Sequence, residues 1–323
     1  MQEIFTISSS PHIRDKESVS KIMWTVVISL IPALFVGIYV FGIRAILVVL
    51  ISIITAVVTE AIIQHIANRK ITVSDGSAFV TGMLLAMVIP PNVPLWMPAI
   101  GSFCAIAIAK APFGGLGYNI FNPALIGRAI LMASFPVAMT TWQIPVFMQS
   151  SATDALTGAT TLAIIKGSRP EHILPLWNLF IGKSGGSLGE TSDLALLLGA
   201  IILLAKRYIT WHIPVSYIGT VALIFSIREL FGNKNFDMVA VQIFSGGLTL
   251  GAFYMATDMV TSPLTKLGGI IFGVGAGILT CVIRILGGYP EGVCYAILLM
   301  NAFTPLIDKY VKPRRFGIKS LTS

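Results

Sequence analysis

Charged residues are scarce in this chain, at 11% of its 323 residues, whereas hydrophobic residues make up 55%. A globular domain carries roughly a quarter of charged residues, because its surface must face water. Halving that fraction excludes most soluble folds. Several apolar runs also reach the roughly 20 residues that a helix needs to cross the hydrocarbon core of a bilayer. The sequence therefore predicts a polytopic membrane protein.

Motifs for metal centres and nucleotide sites are also absent. The cysteines, Cys104, Cys281 and Cys294, have no CxxC spacing and the four histidines form no HExxH motif, which excludes the iron–sulfur, c-type haem and zinc signatures. The sequence carries no nicotinamide-binding fingerprint. The formal net charge of +8 does not indicate a nucleic-acid partner, because the basic residues stand at the ends of apolar runs, as membrane orientation requires.

Ten spans are predicted from apolar runs that are interrupted by proline, glycine and charge clusters. They lie near residues 21–41, 44–66, 76–90, 95–110, 121–139, 192–206, 213–232, 238–256, 266–286 and 290–307. The predicted fold class is therefore all-α, with about ten transmembrane helices.

The distribution of basic residues predicts the orientation. The first 20 residues are polar, so we expect no cleaved signal peptide and a cytoplasmic N-terminus. The cytoplasmic segments then hold 14 of the 22 basic residues, Lys110 among them, and the other side holds seven, including Arg284. This asymmetry predicts that both termini are cytoplasmic and that residues 140–191 form one long external loop.

The two halves of the chain resemble each other. SAFVTGMLLAMVIPP (77–91) and FNPALIGR (121–128) have counterparts in SGGLTLGAFYMATDMVTSP (245–263) and MNAFTPLIDK (300–309). Because each half has five spans, the second half crosses the membrane in the opposite direction to the first, and the repeats are inverted. The short, interrupted spans predict discontinuous helices around a site near the membrane midplane. The alternative is chance similarity among small apolar residues. The predicted regions are a cytoplasmic segment (1–20), a first repeat (21–140), an extracytoplasmic loop (141–191), a second repeat (192–310) and a cytoplasmic tail (311–323).

Three acidic residues fall inside predicted spans, all near the cytoplasmic end: Glu60, Asp258 and Asp308. Intramembrane carboxylates are costly and are usually functional or internally paired. Three of them suit Na⁺ or protons. The alternative is that Asp308 pairs with Lys309 or Arg314 and that Glu60 extends to the membrane surface.

Arg128 lies within the fifth predicted span, where its permanent charge requires an anionic partner or a wet cavity. One of the three carboxylates is a candidate partner. Asn119, Asn122 and Asn301 offer amide groups of the kind that hold a flat polar ring, or alternatively they cap half-helices. In the external loop, small residues around Thr160 leave its hydroxyl accessible, although this string alone is typical of a turn.

Seven stretches in order, spread over almost the whole chain, carry a family resemblance. They are SSSPHIRDKES (8–18), SAFVTGMLLAMVIPP (77–91), AKAPFGGLGYNIFNPALIGRA (109–129), DALTGATTL (154–162), GSLGETS (186–192), SGGLTLGAFYMATDMVTSP (245–263) and GGYPEGVCYAILLMNAFTPLIDKY (287–310). The chain is similar to the family that contains the D subunit of the Rnf complex and, more distantly, the B subunit of the Na⁺-translocating NADH:quinone reductase. Its length favours the Rnf type.

The resemblance implies two flavins. In the family, a flavin transferase attaches FMN through a phosphoester to the last threonine of a D-x-x-[S/T]-G-A-T motif, formed here by Asp154, Thr157, Gly158, Ala159 and Thr160. The implied acceptor is Thr160 and not Thr161. A riboflavin is held non-covalently nearer the cytoplasmic side, with Asn119 and Asn122 as candidate contacts here. Carboxylates that match Glu60, Asp258 and Asp308 are implicated in cation uptake.

The resemblance further implies a membrane component of a redox-driven ion pump. Electrons from reduced ferredoxin reach NAD⁺ through a multisubunit enzyme, with this chain relaying them between FMN and riboflavin while Na⁺ or H⁺ moves outward. The implied partners are the A, B, C, E and G subunits of the Rnf complex, a flavin transferase and membrane lipid, in the cytoplasmic membrane of a prokaryote, and no nucleic acid. The alternatives are a component of a quinone reductase, a passive small-solute channel similar in fold to urea channels, and a structural scaffold.

Overall fold

A computed structural model describes residues 17–143, 157–158, 162, 175–182, 185–231, 237–288 and 291–312. Of the predicted flavinylation motif, Asp154, Ala159 and Thr160 lie outside the described residues. Thirteen helices occur in the described part: α1 (Val19–Phe41), α2 (Ile43–Ile66), α3 (Ser77–Val88), α4 (Trp96–Ala107), α5 (Pro123–Ser134), α6 (Pro136–Thr140), α7 (Leu176–Ile181), α8 (Asp193–Ala205), α9 (His212–Phe231), α10 (Asp237–Ile243), α11 (Leu248–Leu250), α12 (Lys266–Leu286) and α13 (Val293–Tyr310).

The shorter elements connect these helices. They include 3₁₀ turns at Val73–Asp75, Ala111–Phe113 and Leu188–Glu190, and a π-helical turn at Gly251–Met255 that continues α11. Two strands of two residues, β1 (Trp142–Gln143) and β2 (Thr157–Gly158), pair antiparallel. The predicted all-α class is confirmed.

Helices cover all ten predicted spans, but they differ in length. Five are long and apolar enough to cross a membrane, namely α1, α2, Trp96–Phe113, α9 and α12. A sixth span results if α10 and Leu248–Met255, which are bent by 53°, count as one. Three apolar helices, α3, α5 and α8, are shorter. The chain is thus built as a multi-pass membrane protein, and the number ten stays a prediction.

The beginning and the end of α1 follow from two residues. The Ser18 side chain accepts a hydrogen bond from the Lys21 backbone N–H, which satisfies one of the free donors at the helix start. Gly42 ends the helix with φ 74°, a conformation that glycine adopts without steric cost, and α2 begins at the next residue. The chain therefore reverses in a single residue, and α1 and α2 run in opposite directions.

Equivalent helices pack alike in the two halves. In the first half, α2 packs against α3 and α4, and α4 packs against α5; in the second, α9 packs against α10 and α12, and α12 packs against α13. The Asn301 side-chain oxygen accepts a hydrogen bond from the Asn122 backbone N–H at 3.1 Å, in the amide orientation that satisfies its neighbours. These asparagines are equivalent in the predicted repeat. Their contact and the matching packing support two repeats related by a local two-fold axis.

The two halves are joined by α1 and α8, the first helix of each. The Tyr254 hydroxyl lies 3.2 Å from the Ser29 carbonyl of α1 and 3.0 Å from the Leu196 carbonyl of α8. A Cβ atom on Gly199 would lie 1.8 Å from the Ser29 oxygen, so the helices meet backbone to backbone. Small residues allow such close approach in membrane helices.

The helix ends define two faces of the molecule, which we name the Val19 face, where α1 begins, and the Phe41 face, where it ends. The Tyr208 hydroxyl donates to Glu17 at 2.5 Å, so the end of α8 lies at the Val19 face. Hydrogen bonds from Lys21 and Tyr208 lower the pKa of the exposed Glu17 carboxyl. The loop after α8 leads to α9, whose first turn packs against the start of α12. Residue 284, near the other end of α12, therefore lies toward the Phe41 face.

Candidate functional site

A buried ion pair lies in the half of the molecule toward the Val19 face. The Lys110 ammonium lies 2.8 Å from Glu60 Oε1, 3.0 Å from Glu60 Oε2 and 2.6 Å from Ser77 Oγ. Ser77 Oγ in turn donates to Asp75 Oδ1 at 2.6 Å. We call these four residues the Lys110 cluster. Lys110 is only 2% exposed and Glu60 is 5% exposed, so Glu60 does not extend to the membrane surface, and that alternative is wrong.

Two cavities meet at the Lys110 cluster. The vestibule is lined by polar residues at the Val19 face, among them Glu60, Arg69, Lys70 and Asp75. The inner cleft is mostly apolar, and its lining includes Ser77, Asn119, Asn122, Tyr254 and Asp258. Lys110 and Leu116 line both cavities.

The other two candidate carboxylates also lie toward the Val19 face. Asp258 Oδ2 accepts a hydrogen bond from the Thr261 hydroxyl at 3.2 Å. Asp308 Oδ1 accepts one from the backbone N–H of Leu264 at 3.1 Å. Within the described residues no three acidic, histidine or cysteine side chains form a group that could hold a metal ion. The three carboxylates are therefore separate positions and not one metal centre.

The candidate asparagines have different surroundings. Asn122 Oδ1 accepts from the Ala124 and Leu125 backbone N–H groups at 3.1 and 3.4 Å, so it caps the start of α5. Asn119 Nδ2 donates to the Phe121 carbonyl, whereas its buried Oδ1 has no partner among the described residues. Asn119 and Asn122 both line the inner cleft. Asn301 is fully buried between the halves.

A second cluster of buried charges lies toward the Phe41 face. Arg128 forms an ion pair with Glu291, and both side chains are under 10% exposed. The prediction that Arg128 pairs with one of the three candidate carboxylates is wrong, because those carboxylates lie toward the Val19 face. Glu190 and Arg284 are buried nearby and interact electrostatically with this pair. We call Arg128, Glu190, Arg284 and Glu291 the Arg128 cluster.

Arg284 holds a break in a helix. Its guanidinium donates to the Gln242 carbonyl at 2.5 Å and to the Ser245 carbonyl at 2.9 Å. These carbonyls end α10, where the chain bends before α11. Gly246 and Gly247 make the bend, with φ of 71° and 65°. In a bilayer such free backbone groups must be satisfied by protein or by a wet cavity.

Unpaired polar atoms collect around this break. Glu190 Oε1, Ser245 Oγ, Arg284 Nε and Glu291 Oε1 are buried without a hydrogen-bond partner in the described part of the chain. Leu162 is buried against the same place, since a Cβ on Gly246 would lie 2.3 Å from Leu162 Cδ1 and 2.9 Å from an Arg284 nitrogen. Buried polar atoms are normally paired, so a group of unpaired atoms indicates a site for a ligand or for water.

Sequence reasoning misses several of these residues. It places Lys110 among the basic residues that flank a span and Arg284 among the external ones, because charge counting treats every basic residue near a span end as solvated. It does not identify Glu190 and Glu291. A usable signal exists, because each acid stands within three residues of the start of a predicted apolar helix, in GETSD and YPEGV.

The sequence match to one family model extends over residues 6–317, which is nearly the whole chain. The chain belongs to the NQR2, RnfD, RnfE family. Three relatives are similar to it over nearly their full length. The chain is 53% identical to the D subunit of a proton-translocating ferredoxin:NAD(+) oxidoreductase complex from Clostridium ljungdahlii, covering 98% of both chains.

The second relative carries a different ion in its name. It is the D subunit of a Na(+)-translocating ferredoxin:NAD(+) oxidoreductase complex from Acetobacterium woodii, 48% identical over 98% of this chain and 96% of the relative. The third is the D subunit of an ion-translocating oxidoreductase complex from Stutzerimonas stutzeri, 40% identical over 94% of this chain and 93% of the relative. Proteins with such high similarity to this chain are thus named for proton and for sodium transport.

Proposed function

We propose that this chain is the D subunit of an Rnf-type complex, an ion-translocating ferredoxin:NAD⁺ oxidoreductase. The carrying observation is the identity of 53% and 48% to two D subunits over nearly their whole length. The multi-pass fold and the buried charges in both of its halves suit an intramembrane carrier of electrons and ions. The chain acts within the complex and is not catalytic alone.

The complex supplies what this chain lacks. The sequence has no nicotinamide fingerprint and no iron–sulfur ligand motif, so ferredoxin and NAD⁺ meet other subunits. The proposed partners are the A, B, C, E and G subunits, together with a flavin transferase for maturation. The complex lies in the cytoplasmic membrane of a prokaryote, with the Val19 face and both termini of this chain toward the cytoplasm.

The proposed FMN attachment residue is Thr160. In its motif, Thr157 pairs with Gln143 and Gly158 pairs with Trp142. Leu162, two residues after Thr160 in the sequence, is buried beside the helix break at Gly246. This position of Leu162 supports the proposal, because Leu162 lies close to Thr160 in the sequence and packs beside the unpaired polar atoms.

The residues around the break fit a flavin ring. A flavin has hydrogen-bond donors and acceptors along one edge, and Glu190 Oε1, Ser245 Oγ and Arg284 Nε are buried atoms that lack such partners within the described residues. Gly246 and Gly247 carry no side chain, so Leu162, Arg284 and Glu190 approach the backbone closely there. When bound, FMN would accept and pass on electrons. The role of Glu190, Ser245 and Arg284 would be to orient it and to set the electrostatic field around it.

The inner cleft is the proposed position of riboflavin. The cleft is mostly apolar with a few polar side chains in its wall, which is the usual make-up of a small-molecule site. Asn119 Oδ1 is unpaired at its wall, and Asn122 lies beside it. Asn122 Oδ1 caps α5 and its Nδ2 donates to the Met255 carbonyl at 3.4 Å, so its remaining contribution would be the second amide N–H. Glu60, Asp258 and Asp308, all toward the same face, are proposed positions along the path of Na⁺ or H⁺.

The experiment that tests this function is in-gel flavin fluorescence of the denatured chain, co-expressed with a flavin transferase. We expect a fluorescent band for the wild-type chain and for Thr161→Ala, and no band for Thr160→Ala. The assembled complex should also couple oxidation of reduced ferredoxin to ion uptake into inverted vesicles. A wild-type chain without flavin, in a host where the transferase modifies another substrate, would favour a passive channel instead.

A further inference from the structure

The Lys110 ammonium has the surroundings of a bound cation. It donates hydrogen bonds to Glu60 Oε2 at 3.0 Å and to Ser77 Oγ at 2.6 Å, and Glu60 Oε1 lies 2.8 Å away. Three oxygen atoms therefore lie within 3.0 Å of the ammonium. Oxygen atoms from a carboxylate and a hydroxyl are also the ligands that a hard cation such as Na⁺ prefers. The oxygen atoms around Lys110 are therefore of the kind that bind a small cation.

The location of this position gives it a role in transport. Glu60 lines the vestibule, Ser77 lines the inner cleft and Lys110 lines both. The charge of Lys110 also acts on Asp258 across the inner cleft. A cation that moves from the vestibule toward Asp258 therefore meets Glu60 while Lys110 is bound to it.

Two carboxylates, Glu60 and Asp258, attract the single Lys110 ammonium. A monovalent cation at Glu60 would replace the positive charge of Lys110 there and release the ammonium toward Asp258. The charged groups that face this region are Glu60, Asp75, Asp258, Arg69 and Lys70.

The chain after Lys110 has the conformational freedom that such a movement requires. Gly114, Gly115 and Gly117 all have positive φ, and a Cβ on Gly115 or Gly117 would meet nothing within 4 Å. Glycine residues in open space absorb backbone rotation at little steric cost.

We propose that Lys110 is a built-in competitor for the transported cation: its ammonium occupies the cation position between Glu60 and Ser77, and Na⁺ or H⁺ from the vestibule displaces it. This inference rests on the proposed function for its place in ion transport. Lys110 thereby acts on affinity and release, and keeps Glu60 neutralised between cycles without trapping an ion.

The test measures the reactivity of Lys110 itself in the purified complex. Reductive methylation with formaldehyde and cyanoborohydride, read by peptide mass spectrometry, is compared with that of Lys70, an exposed lysine of the same vestibule. In choline salt we expect Lys110 to react at least about 10-fold more slowly than Lys70. Replacing choline by Na⁺ at constant ionic strength should raise the Lys110 rate several-fold and leave Lys70 unchanged.

A pH series at fixed choline distinguishes the two cations. If H⁺ is the competitor, Na⁺ has no effect and the ratio of the Lys110 to the Lys70 rate rises as pH falls. Normalising to Lys70 removes the intrinsic pH dependence of amine methylation. A ratio that responds to neither Na⁺ nor pH overturns the proposal. The reductant in methylation is cyanoborohydride and not ferredoxin, so this result is independent of whether ferredoxin drives transport.

Two variants give a second readout. Glu60→Gln removes the charge that holds Lys110 and should make Lys110 methylation fast and independent of ions. Lys110→Met removes the competitor, so the cation concentration for half-maximal ferredoxin oxidation should fall by about 10-fold, the effect of losing one competing contact of ordinary strength. An unchanged half-maximal concentration in Lys110→Met, with FMN still attached, contradicts the proposal. Absence of ferredoxin-driven uptake in the wild-type complex contradicts the proposed function instead.

Discussion

The two buried charge clusters are opposites in how completely their polar atoms are paired. In the Lys110 cluster the ammonium donates hydrogen bonds to Glu60 and to Ser77, and the Ser77 hydroxyl donates to Asp75. In the Arg128 cluster two carboxylate oxygens and a guanidinium N–H are buried without partners among the described residues. A cluster whose buried polar atoms are hydrogen-bonded to each other is a site that the chain itself fills. A cluster with unpaired buried polar atoms is a site whose remaining partner comes from outside the described residues.

The largest expected effect comes from breaking the Arg128 ion pair. Glu291→Leu leaves a buried guanidinium without its anion, which costs about 3–5 kcal/mol in comparable pairs. The double variant Arg128→Met, Glu291→Leu removes both charges and should recover most of that loss. Thermal unfolding in detergent measures both. A double variant as unstable as the single one would mean that the loss does not come from the unpaired guanidinium.

Two serines that correspond in the predicted repeat provide a direct comparison of the clusters. Ser77→Ala removes an acceptor from Lys110 and a donor from Asp75, and should cost about 1.5–3 kcal/mol, the range for hydrogen bonds to charged groups. Ser245→Ala removes an unpaired hydroxyl and should leave the flavin-free chain unchanged or slightly more stable.

If the Ser245 hydroxyl contacts the FMN ring, Ser245→Ala should lower the stability of the flavin-loaded chain. The measurement is the unfolding midpoint of each variant with and without co-expressed flavin transferase. Equal losses for Ser77→Ala and Ser245→Ala without flavin would remove the contrast between the clusters.

The contact between α1 and α8 holds the two halves of the chain together, and a glycine substitution tests it. Gly199→Ala forces a methyl group onto the Ser29 carbonyl and should cost about 1–3 kcal/mol, as overpacking does. Gly219→Ala is the matched control, because a Cβ there meets nothing within 4 Å. That control should be neutral or stabilising by up to about 1 kcal/mol, since alanine favours the helix. The unfolding midpoints decide, and similar values for both would refute the close contact.

The smallest expected effect is a pH response at the start of α1. The folded pKa of Glu17 is lowered from 4.5 by its bonds to Lys21 and Tyr208, so its contribution is present above that value and is lost as pH falls through the folded pKa. The hydrogen-exchange protection factors in the first turn of α1 should therefore fall in acid. Tyr208→Phe should weaken this dependence, and an identical pH profile for both chains would contradict it.

The membrane class and the positions of the helices could be predicted from the sequence, because apolar length and proline or glycine breaks are local properties. The partners of the buried charges could not. Glu60 and Lys110 are 50 residues apart, and Arg128 and Glu291 are 163 apart. Only the packing of helices from different parts of the chain brings them together, and hydropathy contains no information about that packing. Sequence reasoning therefore identifies Glu60 and Arg128 but misses their partners, Lys110 and Glu291.

The contact of α1 with α8 also sets the order in which the protein can be made. The Ser29 carbonyl meets Gly199 and Tyr254, so α1 is synthesised roughly 200 residues before its partners. At 5–20 residues per second, synthesis of that length takes about 10–40 s. During this interval α1 resides in the lipid or beside the insertion machinery, and Ser29 is not yet covered by Gly199 and Tyr254. Biogenesis of the first half therefore remains incomplete until the second half has been inserted.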